Sequence, residues 1–354
     1  MEPLTHFLTG ACLGRSGFNR KTALATLTLT LATESPDIDI LAYFRGSVFG
    51  FAHHRGFTHS LLGAPLMAAF VIGLVRGWYA LMKRQGRDTR TPPNWKLLYV
   101  YAIFGCLVHL LQDFTNNYGV RPFAPFNLKW YSWDIVFILD PIMLVALFLG
   151  LIVPGILRLV SEEVGAAKPQ FRGRGGAIAA LACLALVILV RDVEHRRALT
   201  FMRSVTYQNQ EPLQVSAFPT ALSPFAWNGV VETQNFFQLF PVNVNSGQLD
   251  PEDQSVVRYK PQETAVTLAA KKSRLGQVYL DWAQYPLVET QKLPGSDGYQ
   301  VTFADLRFAD THLPSLLVSG SRQGRSQPLR AYVLLDPQLH VHEMAFGPPP
   351  YESK

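Results

Sequence analysis

The sequence has little charge: 16% of its 354 residues are Asp, Glu, Lys or Arg, against 48% hydrophobic. The scarcity is uneven. Residues 1–191 hold long apolar runs, while 192–354 read as an ordinary mixed sequence. Cysteine is also sparse. Cys12, Cys106 and Cys183 lie in apolar stretches without CxxC spacing, which argues against a disulfide framework or a thiolate metal site. Gly173-Arg174-Gly175-Gly176 lacks the lysine and Ser/Thr of a phosphate-binding loop, so nucleotide binding is not supported. The N-terminus has no positive n-region, and His6 and Thr9 interrupt its first apolar stretch, so it does not read as a secretory signal. The net charge of +6 sits largely in short loops between apolar runs. There it sets membrane orientation, and no nucleic-acid partner is expected.

What is present points to a bilayer. Four segments read as spanning helices: Leu61–Met82, Leu97–Leu111, Ile135–Leu157 and the shorter Ala177–Val190. A hydrocarbon core of ~30 Å needs ~20 residues, so the last spans only with help from Gly175, Gly176 and the snorkelling Arg174 and Arg191. Before them, Leu4–Leu13 and Thr22–Thr33 are too short for full spans and read as a helical hairpin whose ends return to one side. That brings His6 near Pro36-Asp37-Ile38-Asp39. The expected fold is thus a helical membrane domain over 1–191, with the hairpin and about four transmembrane helices. A β-rich domain, α+β or all-β, is expected to follow over 192–354, where short alternating segments such as Gly298–Phe308 and Leu329–Leu335 are punctuated by Pro, Gly and Asp.

Candidate chemistry is concentrated near the start. Five of the nine histidines precede residue 110: His6, His53, His54, His59 and His109, accompanied by Asp37, Asp39 and Asp113. Imidazole nitrogen and carboxylate oxygen together suit zinc or another divalent first-row metal. His109 and Asp113, at i,i+4, share one helical face; the same spacing also fits a helix-end ion pair. His53-His54-Arg55-Gly56-Phe57-Thr58-His59-Ser60 enters the longest span, and would otherwise be a solvated or pH-sensitive loop. Pro36-Asp37-Ile38-Asp39 offers two carboxylates two residues apart, or an Asx turn. Asp140, about two turns into a span, requires a partner, either as an orienting group for a ligand histidine or in helix packing. His195, His312, His340 and His342 have no such company and read as surface or packing residues.

These strings together resemble the bacterial membrane-bound metal-dependent hydrolases, often called the YdjM-like family. The resemblance covers roughly residues 1–150: Thr5-His6 with Gly10, Pro36-Asp37-Ile38-Asp39, His54-Arg55-Gly56-Phe57-Thr58-His59-Ser60, and Gly105 through His109 to Asp113. A weaker similarity extends to zinc-dependent phospholipases C. The resemblance implies metal ligands at His6, Asp37, His54, His59, His109 and Asp113, and residence in a bacterial inner membrane. Family members often carry His directly after the second Asp; this chain has Ile40 there, and one metal position is altered or lost if that His is a ligand.

The expected activity is hydrolysis of a phosphoester or other ester, in a lipid-linked or small substrate, with a zinc-type ion as cofactor. Asp39 is the candidate proton acceptor and Arg55 the candidate phosphate clamp. Two rivals are a proton- or ion-coupled transporter and a non-catalytic scaffold. A transporter needs polar groups along a path through the bilayer, whereas here Leu61–Val75, Leu97–Val108 and Pro141–Leu157 have no ionisable residue apart from the tyrosine hydroxyls of Tyr99 and Tyr101.

Orientation follows from counting cations by side. Arg15, Arg20, Lys21, Lys83, Arg84, Arg87, Arg90, Lys96, Arg158, Lys168, Arg172 and Arg174 fall on one side, and only Arg45, Arg55, Arg121 and Lys129 on the other, beside Trp130, Tyr131 and Trp133. The first side is therefore expected in the cytoplasm, with the C-terminal domain on the outer face. Cysteine labelling at Gln85 and Ser246 tests this: 246 should react from outside only and 85 from inside only. Labelling of 246 from the cytoplasm alone reverses the orientation.

Overall fold

The computed structural model describes residues 1–89, 91–163, 173–246, 255–309 and 329–351; Arg90, Lys168, Arg172 and His312 lie outside the described residues. The chain divides into two compact units, Met1–Ile40 with Arg55–Glu194 and Pro219–Pro224, and Leu41–His54 with His195–Phe218 and Phe225–Lys354.

The first unit begins with α1 (Pro3–Ser16) and α2 (Ala25–Glu34). Pro3 occupies the first turn of α1, where its missing N–H is not needed. The two helices nearly touch at Gly10, where an added Cβ would stand 2.7 Å from Thr30 Cα. After α2 the chain runs as a 3-10 segment, Ser35–Arg45. A short helix, α3 (Ser47–His53), belongs to the second unit, and the 3-10 turn Phe57–His59 leads into α4 (Gly63–Arg84). Asn94 caps α5 (Trp95–Thr115), its side chain accepting from the Leu97 N–H at 3.1 Å. α5 leans on α2 at Gly105, where a Cβ would be 2.8 Å from that of Ala32. Ala64, Ala68, Val71, Val75, Leu98 and Ala102 are buried with Ala32 in the core among α2, α4 and α5. The opposite side of α4 leaves Leu62, Leu66, Phe70, Leu74, Trp78 and Leu81 exposed at three- and four-residue spacing. Such a continuous apolar stripe suits lipid, not water.

α6 (Pro141–Glu163) and α7 (Arg174–Arg203) complete the helices of this region. Among the described residues, three helices are long and apolar enough to cross a membrane: α4, α5 and α7. The expected 14-residue apolar run lies towards the N-terminal end of the 30-residue α7, which continues to Arg203. The expectation of a span beginning at Ile135 needs correction. The helix starts at Pro141 and runs to Glu163, with Pro141–Leu157 wholly apolar. Asp140 explains the late start: its Oδ1 accepts the N–H groups of Ile142 and Met143 at 3.0 and 3.1 Å. It therefore stands at the helix entrance, not two turns inside. Its Oδ2 is 2.7 Å from Arg191 Nη2, both side chains fully buried, and Arg191 donates to the Thr220 carbonyl at 3.3 Å.

The second unit is rich in β-sheet. One sheet has the order β1 (Gln214–Pro219), β2 (Ala226–Glu232), β3 (Phe236–Asn243) and β4 (Val256–Tyr259). β2 to β4 pair antiparallel, with Gly229 opposite Phe240. The helices α8 (Ala265–Lys272) and α9 (Arg274–Trp282) precede a second antiparallel sheet of β5 (Pro286–Lys292), β6 (Tyr299–Asp305), β7 (Ala331–Leu335) and β8 (Val341–Phe346). The expected strands at 298–308 and 329–335 appear as β6 and β7, with Val301 opposite Val333. Trp227 and Phe240 fill one core, and Phe51 of α3 packs on Trp282 at 5.1 Å between ring centres.

The Asp140–Arg191 pair generates a stability test. Asp140→Ala leaves a buried guanidinium uncompensated and should cost about 3–5 kcal/mol. The readout is a lower melting temperature of the detergent-purified protein, with partial recovery when Arg191→Met is added. An unchanged melting temperature in Asp140→Ala would show that the pair contributes nothing.

Candidate metal centre

Four donor side chains from three parts of the first unit meet at one point. Asp37 follows α2 on the 3-10 segment, His59 closes the turn Phe57–His59, and His109 and Asp113 lie one turn apart near the end of α5. Their ligand atoms all fall within 4.8 Å of one another. His59 Nε2 is 3.0 Å from His109 Nε2, 3.2 Å from Asp37 Oδ1 and 3.4 Å from Asp113 Oδ2. His109 Nε2 is 3.7 Å from Asp37 Oδ1 and 3.4 Å from Asp113 Oδ2. A tetrahedral ion with N/O ligands at ~2.0–2.1 Å holds its ligand atoms roughly 3.3 Å apart. The observed separations bracket that value.

The surrounding hydrogen bonds decide what the nitrogens present. His109 Nδ1 lies 2.7 Å from the Thr33 carbonyl, which can only accept. The proton is therefore on Nδ1, and Nε2 offers a lone pair. His59 Nδ1 stands 3.2 Å from Asp39 Oδ2 and 3.1 Å from Thr58 Oγ1, which favours the same tautomer. Two imidazole lone pairs and two carboxylate oxygens then face each other in a buried space. Such a group repels itself unless a cation lies between its members, so the donor set fits a divalent ion.

His6 borders this group. Its ring stacks on that of His109, with centres 3.9 Å apart. Its Nδ1 is 3.1 Å from Gln112 Oε1, and Gln112 Nε2 donates to Thr9 Oγ1 at 3.0 Å, which orients the amide and leaves a lone pair on His6 Nε2. That atom is buried without a hydrogen bond, 3.3 Å from Asp113 Oδ1. Burial, reinforced by His109, the N-terminus and Arg55, holds His6 far below its ordinary pKa, in the neutral form that a metal requires.

Arg55 and Asp39 frame the site. The Arg55 guanidinium donates to Asp113 Oδ1 at 2.8 Å, Asn116 Oδ1 at 3.1 Å and the Gly119 carbonyl at 3.2 Å, and lies 4.8 Å from the centre of the Tyr118 ring. The Met1 amino group also pairs with Asp113 Oδ1. Asp39 Oδ2 accepts the Arg55 backbone N–H at 2.7 Å and the Thr58 hydroxyl at 3.4 Å. His54 is the C-cap of α3 in the second unit, with its ring 6.3 Å from that of Tyr43. His53 bonds the Phe49 carbonyl at 2.9 Å, and Asp140 serves Arg191. Sequence reasoning missed Gln112, Thr33 and Asn116. Gln112, a lone polar residue beside Asp113 on an apolar helix, carried the one readable signal. A carbonyl such as that of Thr33 carries none.

A family model described as YdjM inner membrane protein matches residues 1–198. The chain belongs to the YdjM inner membrane protein family. The resemblance drawn from its motifs is thereby established, and with three apolar helices this YdjM-family chain is a membrane protein. It is 22% identical over 330 residues to "Uncharacterized protein YfhP" of Bacillus subtilis (strain 168), covering 90% of each chain. No solved structure matches it.

Glu34 supplies a pH test for this YdjM-family site. Burial, with Asp37 and Glu2 adding repulsion, pushes its carboxyl from 4.5 up to about 7. Between those values the folded chain holds more proton at this residue than the unfolded chain, so its contribution to stability is full below about 4.5 and falls as pH rises through about 7. Glu34→Gln should flatten that slope in melting temperature against pH. An identical slope in the variant would mean that Glu34 titrates normally.

Proposed function

We propose that the protein is a membrane-bound, metal-dependent hydrolase of a phosphoester or other ester, with zinc as the expected ion. The supporting observation is the mutual spacing of Asp37, His59, His109 and Asp113, with both imidazole Nε2 lone pairs turned inward. These four residues would hold the ion, and His6 Nε2 is a further donor beside Asp113. When bound, a divalent ion lowers the pKa of water and polarises the attacked group.

In this reading the remaining residues position and neutralise. Asp39 holds His59 so that Nε2 faces the centre, and Arg55 offsets the charge of Asp113. Asp39 is also the carboxylate beside the group that would take the proton of a water held there. The cation count supports a chain that crosses the membrane more than once, with the site and the C-terminal region on the outer face. A lipid-linked ester would reach such a site by lateral diffusion.

Elemental analysis of the purified protein should find a divalent ion that is lost in His109→Ala. Asp39→Asn should weaken its binding roughly 10–100-fold, as loss of an orienting partner does elsewhere. Across a panel of phospholipids and generic phosphoesters, turnover should be abolished by chelator. Metal-replete protein that turns over no ester in a broad panel would overturn the hydrolase reading, and a metal-free preparation indifferent to added zinc would overturn the centre itself.

A further inference from the structure

The chain between α5 and α6 has two faces. On its inner side, Asn116 and the Gly119 carbonyl hold the Arg55 guanidinium that pairs with Asp113. A neck follows, where Val120 and Tyr131 exchange N–H to carbonyl bonds at 2.8 and 2.9 Å. Beyond the neck the loop is apolar and open: Phe123 is 47% exposed, Phe126 88% and Leu128 54%. Asn127 and Lys129 are also exposed, and the segment 122–129 has no acidic residue.

Three observations indicate what covers this tip. The loop leaves α5, one of the helices fit to cross a membrane, so it lies at a membrane face. The Leu61 N–H donates to the Pro122 carbonyl at 2.9 Å, so Phe123 directly continues the exposed stripe of α4 that begins at Leu62. The neck pairs cations with aromatic rings, Arg121 lying 4.2 Å from the centre of the Trp130 ring and Lys129 5.8 Å from that of Tyr131. Such pairs suit the headgroup layer, where one end of each ring is apolar and the other wet. We propose that residues 122–129 form a wedge inserted into the surface of the same membrane, Phe126 and Leu128 reaching the acyl boundary and Lys129 remaining among anionic headgroups. The partner of this surface is the lipid itself. Because Gly119 and Arg55 link the wedge to Asp113, the metal group stands at headgroup level. A second consequence, resting on the hydrolase reading, is that the substrate is a membrane amphiphile whose scissile ester lies at that depth.

The test is a nitroxide label in the full chain, reconstituted in nanodiscs containing acidic phospholipid. Cys12 and Cys106 are buried, so Cys183→Ala leaves an added cysteine as the reactive thiol among the described residues. Labels at Phe126→Cys and Leu128→Cys should show an oxygen-to-nickel-complex accessibility ratio several-fold above that at Gln85→Cys and approaching that at Leu107→Cys on α5. Should a cysteine variant fold poorly, Phe126→Trp should add emission that brominated acyl chains quench. Water-like values at 126 and 128 beside a lipid-like value at 107 overturn the wedge and leave the metal reading untouched. A water-like value at 107 removes α5 from the bilayer, and the inference with it.

Discussion

Asp113 is a carboxylate sealed from water near the end of an apolar helix, and much of the first unit is arranged around that fact. An isolated buried charge of this kind is too costly to keep without compensation. Its Oδ1 accordingly draws in Arg55 and the amino group of Met1, while the Nε2 lone pairs of His6, His59 and His109 face the carboxylate at 3.3–3.4 Å, a spacing that a shared cation would hold. Those partners come from α1, from the loop before α4 and from α5 itself, so one charge gathers segments more than a hundred residues apart in the chain.

Backbone contact makes the gathering possible. Gly10 lets α1 lie on α2, and Gly105 lets α5 lie on α2, each at a distance that excludes a larger side chain unless neighbours shift. With three helices so close, the Thr33 carbonyl reaches His109 and the Gln112 amide reaches His6. The bilayer acts from the other side. Leucines, a phenylalanine and a tryptophan along α4 face outward because lipid tails solvate them as well as a protein core would.

Much of this was readable in advance. Runs of apolar residues gave three helices long and apolar enough to cross a membrane close to where they stand, and alternation gave β6 and β7. The i,i+4 pair on α5 and the carboxylate of Asp37 were recognisable as ligand types, and His59 as part of a histidine-rich entrance. The start of α6 was not, because apolar Ile135, Val136, Phe137, Ile138 and Leu139 read as helix. Asp140, by capping the amides beyond Pro141, moves the start to that point. His54 and His59 could not be told apart by residue type either. The backbone turns sharply at Arg55, φ +50°, and the two histidines belong to different units.

The sequence by itself therefore determined that the chain enters a membrane, since apolar length and composition are local properties read along one strand of text. It also determined which side chains have metal-ligand chemistry and that they cluster near the start. Only the tertiary structure decided which of them converge, because convergence depends on helix contacts at single glycines and on bonds to backbone carbonyls that no residue name encodes. It likewise decided that Asp39 and Arg55 are bound to the frame of the site, since a carboxylate or guanidinium spends its hydrogen bonds on whatever the fold brings nearest.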